Sequence, residues 1–251
     1  MTLSAIILTR NEAANIAECI RSVLFADEIL VIDDSSTDDT VTIAKSEGAK
    51  VLHHPMQGNW GEQRNFAISQ ASCDTIFFID ADERVTPELA KEIQSNLKTN
   101  LCSCLAVRRE NHFASGPVTH GILRPDLVTR IFPKTKGSYE GRVHERLVCS
   151  LPTIILKSRL IHFPYRDWSH YWQKFDKYTE GSAQKYLEAG KSCSFWRDII
   201  LRPIWSFIKI YFFNLGFLDG KLGWIFSMNH YCYTMNKYVR LYSLQKFNGR
   251  I

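Results

Sequence analysis

The run IFFIDADER, Ile76 to Arg84, closes an apolar stretch with three carboxylates, Asp80, Asp82 and Glu83. Like charges that close repel, and removing them from water is costly unless a positive group stands between them. Side chains of an extended chain alternate with a period of two, so Asp80 and Asp82 point the same way. Two hard oxygen donors in that arrangement suit Mg²⁺ or Mn²⁺, which keeps waters and bridges to substrate phosphates. The same residue types also serve as helix caps or solvated turns, and Asp82 or Glu83 could serve the helix expected after Pro87. Further polar groups follow two other apolar runs: Thr9, Arg10, Asn11 and Glu12 after LSAIILT, and Asp33 and Asp34 after EILVID.

These groups need a frame. LSAIILT (3–9), EILVID (28–33), AKVLHH (49–54) and TIFFID (75–80) read as buried strands. Between them Ile16, Cys19, Ile20, Val23 and Leu24 fall at helical spacing, and helices are predicted near 39–47 and 61–71. Thr86-Pro87 opens another, with Thr at the N-cap and Pro in the first turn. Strand and helix in alternation predict an α/β fold with a mostly parallel central sheet and right-handed crossovers. Ligands of such sheets bind beyond the carboxyl ends of the strands, where the three polar groups converge. No GxxxxGK[ST] or GxGxxG loop is present, so a nucleotide would be held by the acidic strand ends through a metal.

Four motifs in order, AIILTRNEAANI, EILVIDDSSTDDT, GNWGEQRNFAI and IFFIDADERVTPEL, closely resemble the family 2 glycosyltransferases with the GT-A fold. The resemblance covers about residues 3–98. The later segments YEGRVHERL and FNLGFLDGKLGWIFSMNHY resemble the bacterial subgroup that adds glucose or a similar sugar to the lipopolysaccharide inner core. The resemblance implies an inverting, metal-dependent hexosyltransferase using a UDP-sugar, with Mg²⁺ or Mn²⁺ as cofactor. It places Thr9 and Glu12 beside the base or ribose, Asp34 on the base and Arg64 in the nucleotide pocket. It places Asp80 near ribose and metal, and Asp82 on the metal that bridges the diphosphate. A carboxylate must deprotonate the acceptor hydroxyl. Glu145 is the preferred base and Glu140 the alternative; the Glu-Asp pair that often carries the base in the broader family is absent here. His144 is a metal ligand or a phosphate contact in this reading, and His162 a metal or diphosphate contact or a core histidine. Trp60 contacts the donor or packs as a lid, and Arg124 and Arg130 reach phosphates or are solvated.

The chain has 251 residues, 45% hydrophobic and 23% charged, enough for one large domain or a domain with an appendage. Residues 1–150 carry 16 Lys+Arg against 20 Asp+Glu, and residues 151–251 carry 15 against 6. The expected organisation is a catalytic domain over 1–165, with a nucleotide-sugar half (1–98) and an acceptor half (99–165). A helical, basic and aromatic extension follows over 166–251. Within FWRDIILRPIWSFIKIYFFNLGFL (195–218), Arg197, Arg202 and Lys209 interrupt the apolar run, which suits a helix lying in a membrane interface better than one crossing it. Packing against the catalytic domain or a second copy is the alternative. The expected partners are a UDP-sugar, a lipid-linked glycan acceptor and the inner face of the cell membrane. Nucleic acid is not expected, because the front half is acidic and no binding motif occurs.

The first residues lack the basic segment of a signal peptide, and no stretch of about 18 residues is free of charge. Seven cysteines without a CxxC pair read as free buried thiols of a reducing compartment. A cytoplasmic, peripheral membrane enzyme is the resulting expectation. Two other readings use the same carboxylates: a metal-dependent phosphohydrolase or nucleotidyltransferase, and a non-catalytic, membrane-associated nucleotide-sugar binding protein. An aspartyl-nucleophile phosphohydrolase would want Asp-x-Asp at the first strand, which here ends in Thr-Arg-Asn-Glu.

Overall fold

The computed structural model describes residues 1–99, 102–114, 116–142 and 145–250. The chain divides into two units, Met1–Glu110 with Asp126–His162, and Asn111–Pro125 with Phe163–Ile251. Residues 111–125, which the sequence reading placed in the 99–165 half, therefore group with the second unit.

In the first unit β1 (Leu3–Thr9) pairs in parallel with β2 (Glu28–Asp33) and β4 (Thr75–Asp80), and β3 (Lys50–His53) adds in parallel outside β2. The helices between these strands are α1 (Ile16–Ser22), α2 (Thr40–Ser46) and α3 (Trp60–Gln70). After β5 (Glu83–Val85) and α4 (Pro87–Lys98) the chain adds β6 (Cys104–Phe113), β8 (Asp126–Pro133) and β11 (Thr153–His162). The order across the sheet is β3-β2-β1-β4-β8-β6-β11-β5. β8 runs antiparallel to β4 and to β6, and β5 antiparallel to β11. The sheet is thus mixed: its parallel part is the first four strands.

The period of two decides both cores. Ile7, Val31, Phe77 and Ile79 bury one face with Ile16 and Ile20 of α1 and Leu89 and Ile93 of α4. Ile6, Leu30, Ile32 and Phe78 bury the other with Ala67 and Ile68 of α3. Each such side chain stabilises the fold by roughly 1.5–3 kcal/mol, which is why strands apolar on both faces lie between helices. The register sets Leu8 beside Asp80 and Thr9 beside Asp33, and thereby gathers the polar residues at one sheet edge.

Two smaller arrangements place later residues. Thr86 caps α4, its hydroxyl accepting from the Leu89 N–H at 3.2 Å. Glu92 of α4 accepts from the Lys157 and Ser158 N–H groups at 2.8 and 2.9 Å and fixes β11, whose last residue, His162, lies opposite Glu83. The hairpin of β9 (Ser138–Glu140) and β10 (Arg146–Val148) is held on α3: Asn65 donates to the Tyr139 carbonyl and accepts from its N–H, each at 2.8 Å.

In the second unit, residues 111–113 pair with β7 (Gly116–Val118). α5 (Trp168–Glu188) packs on α7 (Gly220–Phe247), and α6 (Arg202–Ile208) on α7 as well. Ala183, Ile199, Tyr238 and Leu241 are its buried core. Asp198, 1% exposed, is satisfied by Arg197 at 2.8 Å and Arg202 at 2.5 Å. Many large apolar side chains remain outside, led by Trp196 at 72%, Phe213 at 69% and Leu201 at 61% exposure. Among the described residues no single helix is long and apolar enough to cross a membrane. The bent pair Phe195–Phe213 and Gly216–Phe247, at 72°, meets the length and composition of a span jointly.

All seven cysteines are free thiols; Cys19, Cys73 and Cys104 are buried, whereas Cys102 is exposed.

Candidate active site

The answer to the three carboxylates starts on β8. Arg130 is buried, and its Nη2 donates to Asp80 Oδ2 at 2.5 Å and to Glu83 Oε1 at 2.7 Å. Arg109 approaches Glu83 at 3.3 Å and Asp80 at 3.9 Å, and Arg64 approaches Asp80 Oδ1 at 3.9 Å. Glu83, 0% exposed, also accepts from the Asp80 N–H at 2.9 Å, so it braces the turn between the two Asp residues. The positive charge beside Asp80 and Glu83 is arginine, and the reading of Arg130 as a solvated residue is corrected: it is a buried ion-pair partner. Burial pushes the Asp80 carboxyl up, but Arg130, Arg64 and Arg109 outweigh it and hold it well below the usual carboxylate range. For Glu83 burial wins: with the charge of Asp80 it holds the carboxyl above its ordinary value against the pull of Arg130 and Arg109.

Asp82 points elsewhere. Its Oδ2 lies 3.4 Å from His162 Nε2, and both side chains are partly buried. Among the described residues no three His, Cys, Asp or Glu side chains converge as a metal-binding group. Asp82 supplies one carboxylate of the one or two that a Mg²⁺-type ion shared with substrate phosphates takes from protein, with His162 beside it. Asp80 Oδ2 is held by Arg130, but among the described residues Asp80 Oδ1 has no cation nearer than Arg64 at 3.9 Å, so the residues present fit such a cation through Asp82 and His162, with Asp80 Oδ1 as a further oxygen donor. His144 lies outside the described residues.

α3 supplies Arg64 and, through its clip to β9, the carboxylate opposite it. Arg64 is buried over the rings of Phe78 and Tyr139, at 4.9 and 5.1 Å, and its Nε donates to Glu145 Oε1 at 3.1 Å. One guanidinium thus stands between Glu145 and Asp80. Glu140 is not brought to this place: its side chain is 60% exposed and pairs with Arg146 at 3.2 Å on the hairpin. The two candidates lie five positions apart, and the hairpin turns one inward and the other to solvent. A Cβ on Gly61 would come within 2.4 Å of the Gly141 carbonyl oxygen, so only glycine allows α3 and this loop to meet.

At the other end of the edge, Asp34 is buried and doubly engaged, accepting from the Met56 N–H at 2.7 Å and from Arg10 at 3.2 Å. Its own N–H donates to the Thr9 carbonyl at 2.9 Å. Glu12 accepts from Asn15 at 2.7 Å, and its N–H donates to Thr40 Oγ1 at 2.8 Å. Three buried polar atoms among the described residues lack a hydrogen-bond partner: Thr9 Oγ1, Arg64 Nη1 and Arg130 Nε. Buried donors and acceptors are rarely left so, and all three lie on the residues that border the strand ends. Arg130 carries its signal in the sequence, as a charge inside the apolar run LVTRIF; Arg10 carries none beyond its position after β1, and Arg109, within β6, carries none.

The model of the family described as glycosyl transferase family 2 matches residues 4–162. The chain belongs to that family. The transferase is 30% identical over 266 residues to an uncharacterized glycosyltransferase of Rickettsia felis, covering 97% of this chain and 89% of the relative. It is 28% identical over 260 residues to the lipopolysaccharide core biosynthesis glycosyltransferase LpsC of Rhizobium meliloti, covering 100% and 95%. Among solved structures, glucosyl-3-phosphoglycerate synthase of Mycobacterium tuberculosis, in complex with Mn²⁺, UDP and glucosyl-3-phosphoglycerate, aligns at 27% identity over 47% of this chain and 46% of that one, with a TM-score of 0.38. TarS of S. aureus aligns at 19% identity over 93% and 49%, with a TM-score of 0.48. The transferase has the GT-A fold of its family, with a mixed sheet and a helical C-terminal region, and is an enzyme of sugar transfer.

Proposed function

We propose that the transferase moves a hexose, glucose by its resemblance, from a UDP-sugar to a lipopolysaccharide inner-core or related glycolipid acceptor, with inversion. The observation that carries this reading is the Glu145–Arg64–Asp80 arrangement, at 3.1 and 3.9 Å. A candidate base and a candidate donor-side carboxylate flank one guanidinium, which supports a single displacement with the base on one side of the sugar and the leaving group on the other. The lipopolysaccharide relative supports the acceptor class.

In this reading the Thr9 hydroxyl and the Asp34 loop hold the base and ribose, with Glu12 bracing that loop through Asn15 and Thr40. Asp80 meets the ribose, and Arg64 faces the sugar-phosphate side. Asp82 and His162 would hold a divalent cation, which would supply positive charge for a departing nucleoside diphosphate. Arg64 occupies Glu145 Oε1, so the acceptor proton is taken at Oε2. The exposed aromatics of residues 195–228, with Arg197, Arg202 and Lys209 among them, rest on an anionic membrane surface and keep the enzyme peripheral on the inner face.

The test is a pair of variants in a transfer assay with a separate donor-binding measurement. Glu145→Gln is expected to retain metal-dependent stabilisation by the UDP-sugar and to lose transfer by 10²-fold or more. Asp82→Ala is expected to lose both and to stay folded. Normal transfer by Glu145→Gln would overturn the base assignment, and full metal-dependent activity of Asp82→Ala would overturn the metal pair.

A further inference from the structure

The second unit contains a cavity of about 300 Å³ between α5 and α7, closed on one side by Ile122 and Leu123. α5 gives it Tyr171, Lys174, Phe175 and Tyr178, at the i, i+3, i+4, i+7 spacing of one helix face. α7 answers with Phe226, His230 and Tyr233, and Tyr165 completes the wall. The family's chemistry at the strand ends of the first unit uses none of these residues.

Three features define what the cavity would hold. Its lining is mainly aromatic, and the electron-rich faces of such rings attract polarised C–H groups such as the axial face of a pyranose. Its single full charge is Lys174, whose ammonium lies 5.5 Å from the Tyr165 ring centre and donates to the Pro164 carbonyl at 3.0 Å. An ammonium has three donors, so it can also serve an anion, and it repels a cation that the rings alone would welcome. Tyr165, Tyr171, Tyr178 and Tyr233 bring hydroxyls to the lining residues, of which Tyr233 Oη pairs with Ser182 Oγ at 3.0 Å. His230 stacks on Tyr233 at 5.7 Å, and burial brings it down to about 4, so near neutral pH it adds a hydrogen-bonding ring and no charge. The volume is at the small end of ligand pockets, room for roughly one or two sugar rings.

We propose that this cavity is a saccharide subsite for an acidic sugar, a single pyranose ring bearing a carboxylate or a phosphate, with its C–H face on the aromatic walls and its anion on Lys174. The sugar-transfer reading enters only in saying why such a ligand is met, as an anionic residue of the acceptor glycan. A long acyl chain would fill the rings equally but would leave the lysine unused.

The experiment is saturation-transfer NMR on the full chain with four probes: methyl glucuronide, glucose 6-phosphate, methyl glucoside and hexanoate. Both acidic sugars are expected to bind at least tenfold tighter than methyl glucoside, and tighter than hexanoate. Lys174→Met should weaken the acidic sugars by at least tenfold. Phe175→Leu, a milder change of the wall, should weaken all three sugars together, with melting temperature as the check on folding for both variants. Excess UDP should not displace the acidic sugars. Equal binding of neutral and acidic sugars, unchanged binding in Lys174→Met, displacement by UDP, or hexanoate binding as well as the sugars would each overturn the proposal. Acidic-sugar binding in a chain that binds no UDP-sugar would uphold it and remove the donor reading instead.

Discussion

Replacing Arg130 by Met keeps an unbranched stem of similar reach and removes the guanidinium. Two carboxylates lose their closest partner, at 2.5 and 2.7 Å. Breaking a buried ion pair on one side costs about 3–5 kcal/mol. The lower end applies here, about 3 kcal/mol, because Arg109 still reaches Glu83 at 3.3 Å and the Asp80 side chain is 33% exposed to water. With an m-value of about 2 kcal/mol/M, the urea midpoint at pH 7 should fall by about 1.5 M with m unchanged. Adding Glu83→Gln removes a stranded charge, so the double variant should regain about 2 kcal/mol relative to additivity. The pH dependence carries a sign. Glu83 is held above its ordinary value, so its contribution is complete below the unfolded carboxyl pKa and is lost as pH rises through the folded one. Asp80 is depressed, so its contribution is present above the unfolded pKa and is lost as pH falls through the folded one. Without Arg130 Glu83 rises further and Asp80 loses part of its advantage, so the gap between variant and parent should narrow from pH 7 toward pH 5. A cost under about 1 kcal/mol, or a coupling with Glu83 indistinguishable from zero, would refute the reasoning.

Gly61→Ala forces a Cβ to within 2.4 Å of a backbone oxygen and should cost about 1–3 kcal/mol in a thermal melt, with transfer falling more than donor affinity. His230, brought down to about 4 from 6.5 by burial, is favoured neutral in the fold. Its contribution is complete above pH 6.5 and is lost as pH falls toward 4, by at most about 3 kcal/mol, and His230→Phe should flatten that part of a stability–pH curve. The paired change Trp196→Ser and Phe213→Ser should lower partition onto anionic vesicles by about tenfold or more in a sedimentation assay, leaving soluble-donor binding unchanged. Equal sedimentation of parent and variant would place the contact elsewhere.

The parts of the fold that local pattern decides were legible in the chain. Apolar runs at 3–9, 28–33 and 75–80 could only be buried strands, and Thr86-Pro87 is a helix start in any context. Parallel pairing of β1 with β2 and β4 then brings Thr9, Asp33 and Asp80 to one edge. What stayed hidden depends on contacts between distant segments. Arg130 meets Asp80 only because β8 adds antiparallel to β4, fifty residues later in the chain. Glu145 and Glu140 share a segment of one character, and the choice between them rests on Asn65 holding Tyr139. Residues 111–125 read as more strand and loop of the catalytic half, and no composition shift marks their departure to the second unit.

The clip between α3 and β9 bears on how this family can be recombined. Residues 59–65 come from the half that carries the donor motifs and residues 139–142 from the half that carries the proposed base, yet Asn65–Tyr139, Trp60–Arg142 and the Gly61–Gly141 approach make them one mechanical piece. A chimera cut near residue 98, the natural seam by sequence, would join an α3 from one parent to a hairpin shaped for another. Grafts meant to exchange sugar preference must therefore carry both segments from the same parent, or inherit a Glu145 displaced from Arg64.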